Sequence, residues 1–419
     1  MTDRMVHVFV DVNGFVNHVG QLWAHSSKGK DRASFKYDDV WLNNPDRFAI
    51  EPALTLDTGS FHTDDSRNMF GAIGDSAPDR WGRMLIRRAE AHRAKNTNEK
   101  TRTLNEIDYL LAVNDEVRQG ALRFKEEING PYLSQATTTS IPPLIDLPKL
   151  LSATQNVIND DESDADLKIL LAPGGSLGGA RPKASVVDQT GQLMIAKFPR
   201  MDDHFNTVLW EAVALTLAAD ANINVPKWRV VTVNNKPIIL INRFDREKNK
   251  RIPFISAMSM IGARDNEQHS YLELVDALKQ YGAHPKQSII DLWRRIVFSI
   301  LISNTDDHLR NHGFIYELHR GWQLSPLYDV NPTPEDIKAR FLTTNIDLDD
   351  NTASLDLAFS VIHEFGITTS EARIIAKEVG MSVSKWRKIA KDLGIKKSEI
   401  ERMASAFEHE DLQLACTLV

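Results

Sequence analysis

Three oxygen-bearing side chains in the second half of the chain have the types and spacing that phosphoryl transfer needs. Asp306 is followed five residues later by Asn311, and a second acid, Asp329, comes after a strand-turn segment. In phosphoryl-transfer sites the first acid of such a set orients the attacking hydroxyl, while the amide and the later acid hold magnesium on the nucleotide phosphates. The sequence therefore predicts Asp306 as the catalytic acid/base and Asn311 and Asp329 as metal ligands.

Two other interpretations of this segment stay open. His308 and His312 are four residues apart and could share a helix face in a zinc site, although neither the metalloprotease glutamate nor a third ligand is evident. Asp306 and Asp307 could instead cap a helical turn, a common use of aspartate. Capping would not explain the amide and the second acid that follow. We expect His308 to pack and hydrogen-bond beneath the loop.

A glycine-rich loop lies near the middle of the chain. Residues 173–183 are Pro-Gly-Gly-Ser-Leu-Gly-Gly-Ala-Arg-Pro-Lys, with four glycines in six positions. Glycine lets a backbone approach a polyanion closely and point N–H groups at phosphate oxygens. The loop is not a P-loop, because no Gly-Lys-Ser/Thr follows, and a plain flexible turn is the alternative. We predict that it binds ATP through Gly174, Gly175, Ser176, Leu177, Gly178 and Gly179.

Two later segments extend the predicted nucleotide site. Lys197 ends an apolar strand, where it could bridge nucleotide phosphates with Glu211 on the next helix as its ionic partner; a solvent-facing edge lysine is the alternative. Residues 241–246 follow another apolar strand. There we expect a hinge whose backbone contacts the adenine edge, which places Asn242 and Phe244 in the ATP site. The alternative is an ordinary charged strand end.

The composition is that of a globular protein with a hydrophobic core. Of 419 residues, 42% are hydrophobic and 26% charged, and the formal net charge is −7. That charge argues against a chain that coats nucleic acid electrostatically. The single cysteine, Cys416, excludes a disulfide framework and is typical of a reducing cytoplasm. The alternating N-terminal segment 6–12 is too short for a signal peptide or membrane span. We expect a soluble, cytoplasmic protein.

The predicted elements divide the chain into three domains of an α+β protein. An N-terminal α+β domain, residues 1–130, begins with a hairpin that turns at Asn13-Gly14, the strongest short turn signal. A Pro-, Ser- and Thr-rich connection leads to a nucleotide-binding lobe, residues 144–250. Residues 251–419 form a helical lobe with the catalytic and metal-binding loops, and its helices are predicted over 271–281, 285–302, 353–365, 371–379 and 383–393.

With these residues assembled, the chain resembles the HipA family of bacterial kinases, the toxins of HipBA toxin–antitoxin modules. The similarity runs nearly end to end and includes residues 70–82, 106–113, 179–183, 243–246, 304–308 and 328–329. The resemblance implies a HipA-like kinase fold, in which a small β-rich N-terminal domain and a nucleotide lobe precede a mainly helical C-terminal lobe. It also implies Ser/Thr protein kinase activity with ATP and Mg²⁺ as cofactors.

The resemblance further implies residue roles. It supports the roles given above for Asp306, Asn311 and Asp329 and makes Lys197 the nucleotide lysine. We include His308 in the predicted ATP-binding set.

Regulation, substrate and partners follow from the same resemblance. Ser176 lies where family members have a serine that becomes autophosphorylated. Characterised family substrates are aminoacyl-tRNA synthetases, and the partner is a small HipB-like helix-turn-helix antitoxin that binds operator DNA. The four glycines of the loop and Arg181-Pro182 stand where better-known members have a Gly-Ala-Gln-type sequence, so we do not assume that the family's choice of substrate carries over. Alternative functions are a small-molecule phosphotransferase and an inactive kinase-shaped co-repressor.

Overall fold

The computed structural model of the chain describes residues 2–27, 30–64, 67–133, 141–174, 179–200, 203–248 and 250–418. Helices and strands are both abundant, as the α+β prediction requires. The chain forms two units: the first consists of Met1–Met201 and Val231–Ile255, and the second of Asp202–Val230 and Ser256–Val419. The finer division into three domains remains a prediction.

An antiparallel five-stranded sheet forms the N-terminal part of the first unit. Its strands are β1 (Thr2–Val12), β2 (Phe15–Ser27), β3 (Lys30–Tyr37), β4 (Ser60–His62) and β5 (Leu122–Lys125), in the order β4-β3-β2-β1-β5. The predicted hairpin is confirmed, because β1 pairs with β2 up to Val12 and Phe15. Asn13 and Gly14 have φ angles of 54° and 88°, as the two central residues of a type I′ turn require.

The helices of the first unit follow this sheet in sequence. They are α1 (Asp39–Leu42), α2 (Gly71–Asp75), α3 (Arg80–Asn96), α4 (Glu106–Ala112), α5 (Leu147–Ile158) and α6 (Asp164–Gly174). Helix α3 begins at an N-cap, Asp79, whose side chain accepts a hydrogen bond from the Gly82 N–H. Helix α4 begins at a capping box between Asn105 and Asp108. Local capping signals thus explain where these two helices start.

A second, four-stranded sheet carries the predicted nucleotide segments. Its strands are β6 (Lys183–Val187), β7 (Leu193–Lys197), β8 (Trp228–Val233) and β9 (Lys236–Asn242), in the order β6-β7-β9-β8. One face is buried in a core shared with Trp81 of α3, Leu150 of α5 and Leu170 of α6. A short hairpin of β10 (Arg246–Glu247) and β11 (Lys250–Arg251) follows, and then β12 (Phe254–Ser256).

The second unit is mainly helical. Its elements are α7 (Thr207–Asp220), α8 (Ala257–Met260), α9 (Tyr271–Tyr281), α10 (Pro285–Leu301), the hairpin strands β13 (Gly313–Glu317) and β14 (Gly321–Leu324), α11 (Leu355–Ser360), α12 (Thr369–Val383), α13 (Trp386–Asp392), α14 (Lys397–Arg402) and α15 (Glu410–Thr417). Helix α10 packs against α9, α11 and α12. None of the helices in the described ranges combines the length and apolar character needed to cross a bilayer.

One predicted helix of this unit is too long. The sequence pattern predicts a helix over residues 353–365, whereas α11 ends at Ser360. Beyond it the N–H groups of Glu364, Phe365 and Gly366 each bond to the carbonyl three residues earlier, which makes tight turns. Gly366 then adopts a φ of 62°, a left-handed conformation that ends helical structure.

Candidate active site

The loop after α10 carries the predicted catalytic residue. Helix α10 ends at Leu301, and Ser303 then adopts a φ of 51°, which turns the chain away from the helix axis. The Asn304 N–H bonds to the Ser299 carbonyl at 2.8 Å, and the Asn304 side-chain oxygen accepts from the Asn331 N–H at 3.2 Å. Asn304 therefore connects the loop that contains residue 306 to the segment that follows residue 329.

The side chain of Asn311 brings the three predicted residues together. Its Nδ2 donates to the backbone carbonyl of Asp306 at 3.0 Å and lies 3.5 Å from the carbonyl of Asp329. Asn311 is buried, whereas the Asp306 side chain is exposed and accessible to a substrate. The backbones of Asp306 and Asp329 thus meet at one side chain, and the catalytic and metal-binding roles of the three residues remain predictions.

The donor atoms at this point suit magnesium. Because Nδ2 of Asn311 is directed at two carbonyl groups, Oδ1 is the atom that remains to bind a cation. That amide oxygen and the Asp329 carboxylate are hard oxygen ligands of the kind that Mg²⁺ takes in phosphate-binding sites. Asp329 has a φ of 55°, a strained conformation for a residue with a side chain, and such residues often cluster at functional sites.

A buried hydrogen-bonded group lies beneath the loop that carries Asp306, and sequence reasoning missed it. The Tyr271 hydroxyl donates to Oδ2 of Asp307, and Oδ1 of Asp307 lies 2.8 Å from Nε2 of His312. Burial alone would raise the pKa of the Asp307 carboxyl, but His312 and the hydrogen bonds outweigh it and lower that pKa. Burial and the neighbouring carboxylate raise the pKa of Tyr271 well above its usual value.

The buried contacts of His312 and the local backbone also address the two alternative interpretations of this segment, a zinc site and helix capping. His312 is buried against Asp307 and the Tyr271 ring, so its imidazole contacts an aspartate and an aromatic ring. The short 3₁₀ turn Leu309–Asn311 starts after His308, and no side chain caps it. Capping by the aspartates is therefore wrong. His308 itself is half-buried, and its N–H bonds to the Asp306 carbonyl at 2.9 Å.

A later segment holds the loop through its backbone carbonyls. Lys338 Nζ and the Thr343 hydroxyl both donate to the Thr305 carbonyl, at 2.7 and 2.9 Å. The Thr344 hydroxyl donates to the Asp307 carbonyl at 2.7 Å. These bonds fix the backbone on both sides of the predicted catalytic residue, which limits how far its carboxylate can move.

The glycine-rich loop is described only at its ends. Gly174 is the last residue of α6, and Gly179 has a φ of 106°, which a side chain would disfavour. Gly175, Ser176, Leu177 and Gly178 lie outside the described residues, so their predicted contacts with ATP and the predicted modification of the serine stay predictions.

The other predicted nucleotide residues lie on adjacent strands of the second sheet. Lys197 ends β7, directly opposite Ile239 of β9, and Asn242 ends β9, directly opposite Met194. Three residue steps separate the two positions, about 10 Å along the strands. Phe244 follows two residues later, and its ring lies 6.1 Å from the ring of Phe254. Glu211, the partner suggested for the lysine, is a buried residue of α7 in the second unit.

The residues around Phe244 form a buried ionic network. Asp245 accepts hydrogen bonds from Nε of Arg243 at 2.6 Å, from Nη1 of Arg246 at 2.8 Å and from the Gly120 N–H at 2.8 Å. Burial acts to raise the pKa of Asp245, but the two guanidinium groups lower it further than burial raises it. This segment is therefore more than a charged strand end: it is bonded to the loop before β5.

Models of two protein domains match the chain. One, described as the HipA-like C-terminal domain, matches residues 175–409, and the other, described as the HipA N-terminal domain, matches residues 10–124. Together they leave residues 1–9, 125–174 and 410–419 unmatched.

Two curated proteins are similar to the chain in sequence. A putative kinase of Haemophilus influenzae is 28% identical over 190 residues, which are 39% of this chain and 54% of that protein. The chain thus spans about half the length of this relative. The putative kinase Y4mE of Sinorhizobium fredii is 21% identical over 330 residues, 71% of this chain and 72% of that protein.

A solved structure shares the fold. A chain in the Shewanella oneidensis MR-1 toxin–antitoxin complex of HipA, HipB and operator DNA superposes with a TM-score of 0.65. The match covers 98% of this chain and 96% of that chain at 14% sequence identity. At this identity the likeness concerns the fold alone, and it confirms the predicted HipA-like α+β fold.

Proposed function

We propose that this chain, which belongs to the HipA family, is an ATP- and Mg²⁺-dependent kinase that phosphorylates a serine or threonine hydroxyl of a protein. The proposal is supported above all by the meeting of Asp306 and Asp329 at the side chain of Asn311. An exposed acid beside an amide and a second acid is the set of groups that phosphoryl transfer uses. The names of the two relatives, both putative kinases, agree with it.

Each residue then has a defined task. The exposed Asp306 carboxylate accepts the hydrogen bond of the attacking hydroxyl and orients it toward the γ-phosphorus. Asn311 and Asp329 hold the cation, which when bound neutralises charge on the phosphate oxygens. Lys197 contacts the phosphates at one end of the nucleotide, while the backbone at Asn242, about 10 Å away along the sheet, contacts the adenine.

The biological setting is part of the same proposal. The chain acts as the toxin of a type II toxin–antitoxin module, is bound by a HipB-like helix-turn-helix antitoxin and reaches operator DNA mainly through that antitoxin. Its substrate is a protein, with an aminoacyl-tRNA synthetase as the first candidate, and Ser176 is its autophosphorylation site. The description of the Shewanella complex, which names a HipA, a HipB and operator DNA, supports this assignment of partners.

The decisive experiment is incubation of the full-length protein with radiolabelled ATP and Mg²⁺, alone and with cell extract. Label on the protein itself and on one extract protein is the expected result. Label on a small metabolite would favour a small-molecule phosphotransferase, and no label with no nucleotide binding would favour the co-repressor.

A pair of variants tests the catalytic assignment. Asp306→Asn should slow transfer by about 10²- to 10⁴-fold, the usual contribution of a positioned acid/base, with ATP binding retained. Asp336→Asn is the matched control, because Asp336 is an exposed acid paired with Arg402 at 2.9 Å. Equal rates for the two variants would remove Asp306 from the catalytic role.

A further inference from the structure

The side chain of Ser303, where the chain leaves α10 and enters the loop of Asp306, is bonded on two sides. Its hydroxyl donates to the Ala406 carbonyl at 2.9 Å and accepts from Nε of Arg340 at 3.2 Å. Ser303 is completely buried, and its φ of 51° turns the chain from the helix into the loop. The start of the loop is therefore fixed by two partners that lie far from it in sequence.

One guanidinium group joins this serine to two other parts of the second unit. Nη2 of Arg340 donates to Oδ2 of Asp411 at 2.8 Å and also lies 3.3 Å from the Ile300 carbonyl. The side chains of the ion pair are 17% and 15% exposed, so salt screens their attraction only in part. A guanidinium is a planar fork whose donors point in fixed directions. Three acceptors around it therefore define one position for the group.

The acid of this pair belongs to a helix that is itself anchored. Asp411 lies in the first turn of α15, and its Oδ1 accepts from the N–H of Leu355, the first residue of α11, at 2.8 Å. Helix α15 packs against α12 and α10. One oxygen of the carboxylate thus serves the start of α11 and the other serves the arginine, which holds Asp411 in place on both sides.

His409, the N-cap of α15, makes a parallel contact with the end of α10. Its Nδ1 accepts from the Leu412 N–H at 3.3 Å, and its Nε2 lies 3.3 Å from the Leu301 carbonyl. Both contacts require a neutral imidazole with its proton on Nε2. Burial and the neighbouring charge of Arg340 lower the pKa of His409 to about 4, so the imidazole is neutral near pH 7. The start of α15 is therefore bonded directly to the last residue of α10.

Arg340 also lies inside the segment 338–344, which holds the loop through its carbonyl groups. Side chains of this segment donate to the carbonyls of Thr305 and Asp307, on either side of Asp306. The guanidinium connects the same segment to the start of the loop and to α15. The backbone around Asp306 is thus held by donors whose segment is tied to the C-terminal helix through one arginine.

We propose that Arg340 and Asp411 are positioning residues for phosphoryl transfer. Through Ser303 and the segment 338–344 they tie the loop that carries Asp306 to α15, so that the Asp306 carboxylate meets the substrate hydroxyl in one arrangement. The inference rests on the proposed function of this site. It also gives a task to α15, a helix that sequence analysis did not predict.

The test compares the full-length wild type with Arg340→Met and, separately, with Asp411→Asn. Initial rates of label transfer from radiolabelled ATP to a fixed amount of cell extract give the maximal rate and KM for ATP. Displacement of Asp306 should lower the maximal rate of Arg340→Met about tenfold or more and leave KM for ATP within about twofold, because orientation of the hydroxyl matters in the transition state. Asp411→Asn should show a smaller loss, since Arg340 keeps its other two acceptors and the amide oxygen still accepts from Leu355. This milder variant keeps the proposal testable if Arg340→Met does not fold.

Arg294→Met is the matched control. Arg294 is 13% exposed, pairs with Glu378 at 2.7 Å and donates to the Ala221 carbonyl at 3.0 Å. These partners lie on α12 and directly after α7. The variant should lose comparable stability with the maximal rate unchanged. If Arg340→Met and Asp411→Asn lowered the urea midpoint as the control does but kept the wild-type maximal rate, the contacts would serve the fold only and the inference would be wrong.

A double variant shows whether the arginine acts through Asp306. In the Asp306→Asn background the carboxylate that Arg340 positions is absent, so Arg340→Met should slow transfer by a much smaller factor than it does in the wild type. Equal factors in the two backgrounds would overturn the inference. Failure of the wild type to transfer label, or a wild-type rate in Asp306→Asn, would instead refute the proposed function, so the two failures are distinguishable.

Discussion

Tyr271→Phe removes one hydrogen-bond donor from a buried carboxylate directly beside the predicted catalytic residue. Tyr271 is fully buried, and its hydroxyl donates to Asp307, whose other oxygen contacts His312. Because burial and the Asp307 charge raise the pKa of Tyr271 well above its usual value, the hydroxyl stays protonated and donates at every working pH. The substitution removes that donor and leaves the aromatic ring in place.

The expected size follows from these contacts. A hydrogen bond to a charged group contributes about 1.5–3 kcal/mol. Since His312 still pairs with Asp307 in the variant, we expect a loss of about 2 kcal/mol in the free energy of unfolding. Asp307 directly follows Asp306, so its release also loosens the residue that we propose orients the substrate hydroxyl. Displacements of about 1 Å can cost 100-fold in rate, and we expect kcat to fall roughly tenfold, since the carbonyl contacts from residues 338–344 remain.

The assay compares urea unfolding and phosphoryl-transfer rates of Tyr271→Phe with those of Tyr37→Phe. Tyr37 is a buried tyrosine of β3 whose hydroxyl donates to the Leu54 carbonyl at 2.7 Å and accepts from the Ile50 N–H at 3.2 Å. Its loss should reduce stability and leave kcat unchanged. A wild-type kcat in Tyr271→Phe, with stability reduced as in the control, would show that the Asp307 group supports the fold and not the reaction.

Three further predictions address the metal, the pH dependence and the loop. Asp329→Asn should raise the Mg²⁺ concentration needed for half-maximal transfer about tenfold or more, because a charged oxygen ligand is lost; an unchanged Mg²⁺ dependence would take Asp329 out of the metal set. Burial raises the pKa of Glu51 from 4.5 to about 7, although the Ala72 N–H donates to it at 2.5 Å. The pKa of Glu51 is therefore higher in the folded state than in the unfolded state. The contribution of this residue to stability is complete below pH 4.5, and up to about 3 kcal/mol of it is lost as pH rises to 7. The side chain in Glu51→Gln cannot ionise, so the urea midpoint of the variant should rise relative to that of the wild type between pH 5 and 8. A difference between the two midpoints that does not depend on pH would contradict this. Ser176→Ala should stay active longer in ATP than the wild type, because a phosphate of about −1.5 to −2 charges beside the nucleotide would repel it; identical decay of the two proteins would dismiss autoinhibition.

Local signals predicted most of the regular structure. The Asn13-Gly14 turn sets the register of β1 and β2 because both residues adopt positive φ at low cost. Helix α9 starts where Ser270 and Glu273 form a capping box, and the predicted range 271–281 is confirmed. The helix predicted over 353–365 is wrong in length, since an apolar pattern alone does not distinguish an α-helix from successive tight turns.

The sequence predicted the residue types of the candidate site but not the buried contacts that hold them in place. The chemistry of phosphate and magnesium demands an acid, an amide and a second acid, so Asp306, Asn311 and Asp329 are recognisable in a sequence. Neither the interaction of Asp307 with a tyrosine 36 residues away nor the pairing of Arg340 with an aspartate 71 residues away leaves a local signal. Both contacts could be identified only from the three-dimensional structure.

The amino-acid sequence by itself determined most of the secondary structure and the family, and it predicted the groups that would do the chemistry, because turns, caps and ligand types are properties of short segments. Only the tertiary structure decided how those groups are held. It directs the Asn311 amide at two carbonyl groups and brings the Tyr271 hydroxyl to Asp307. The physical reason is that a buried charge or amide must find its partner wherever the fold brings one, and the distance along the chain does not restrict that choice.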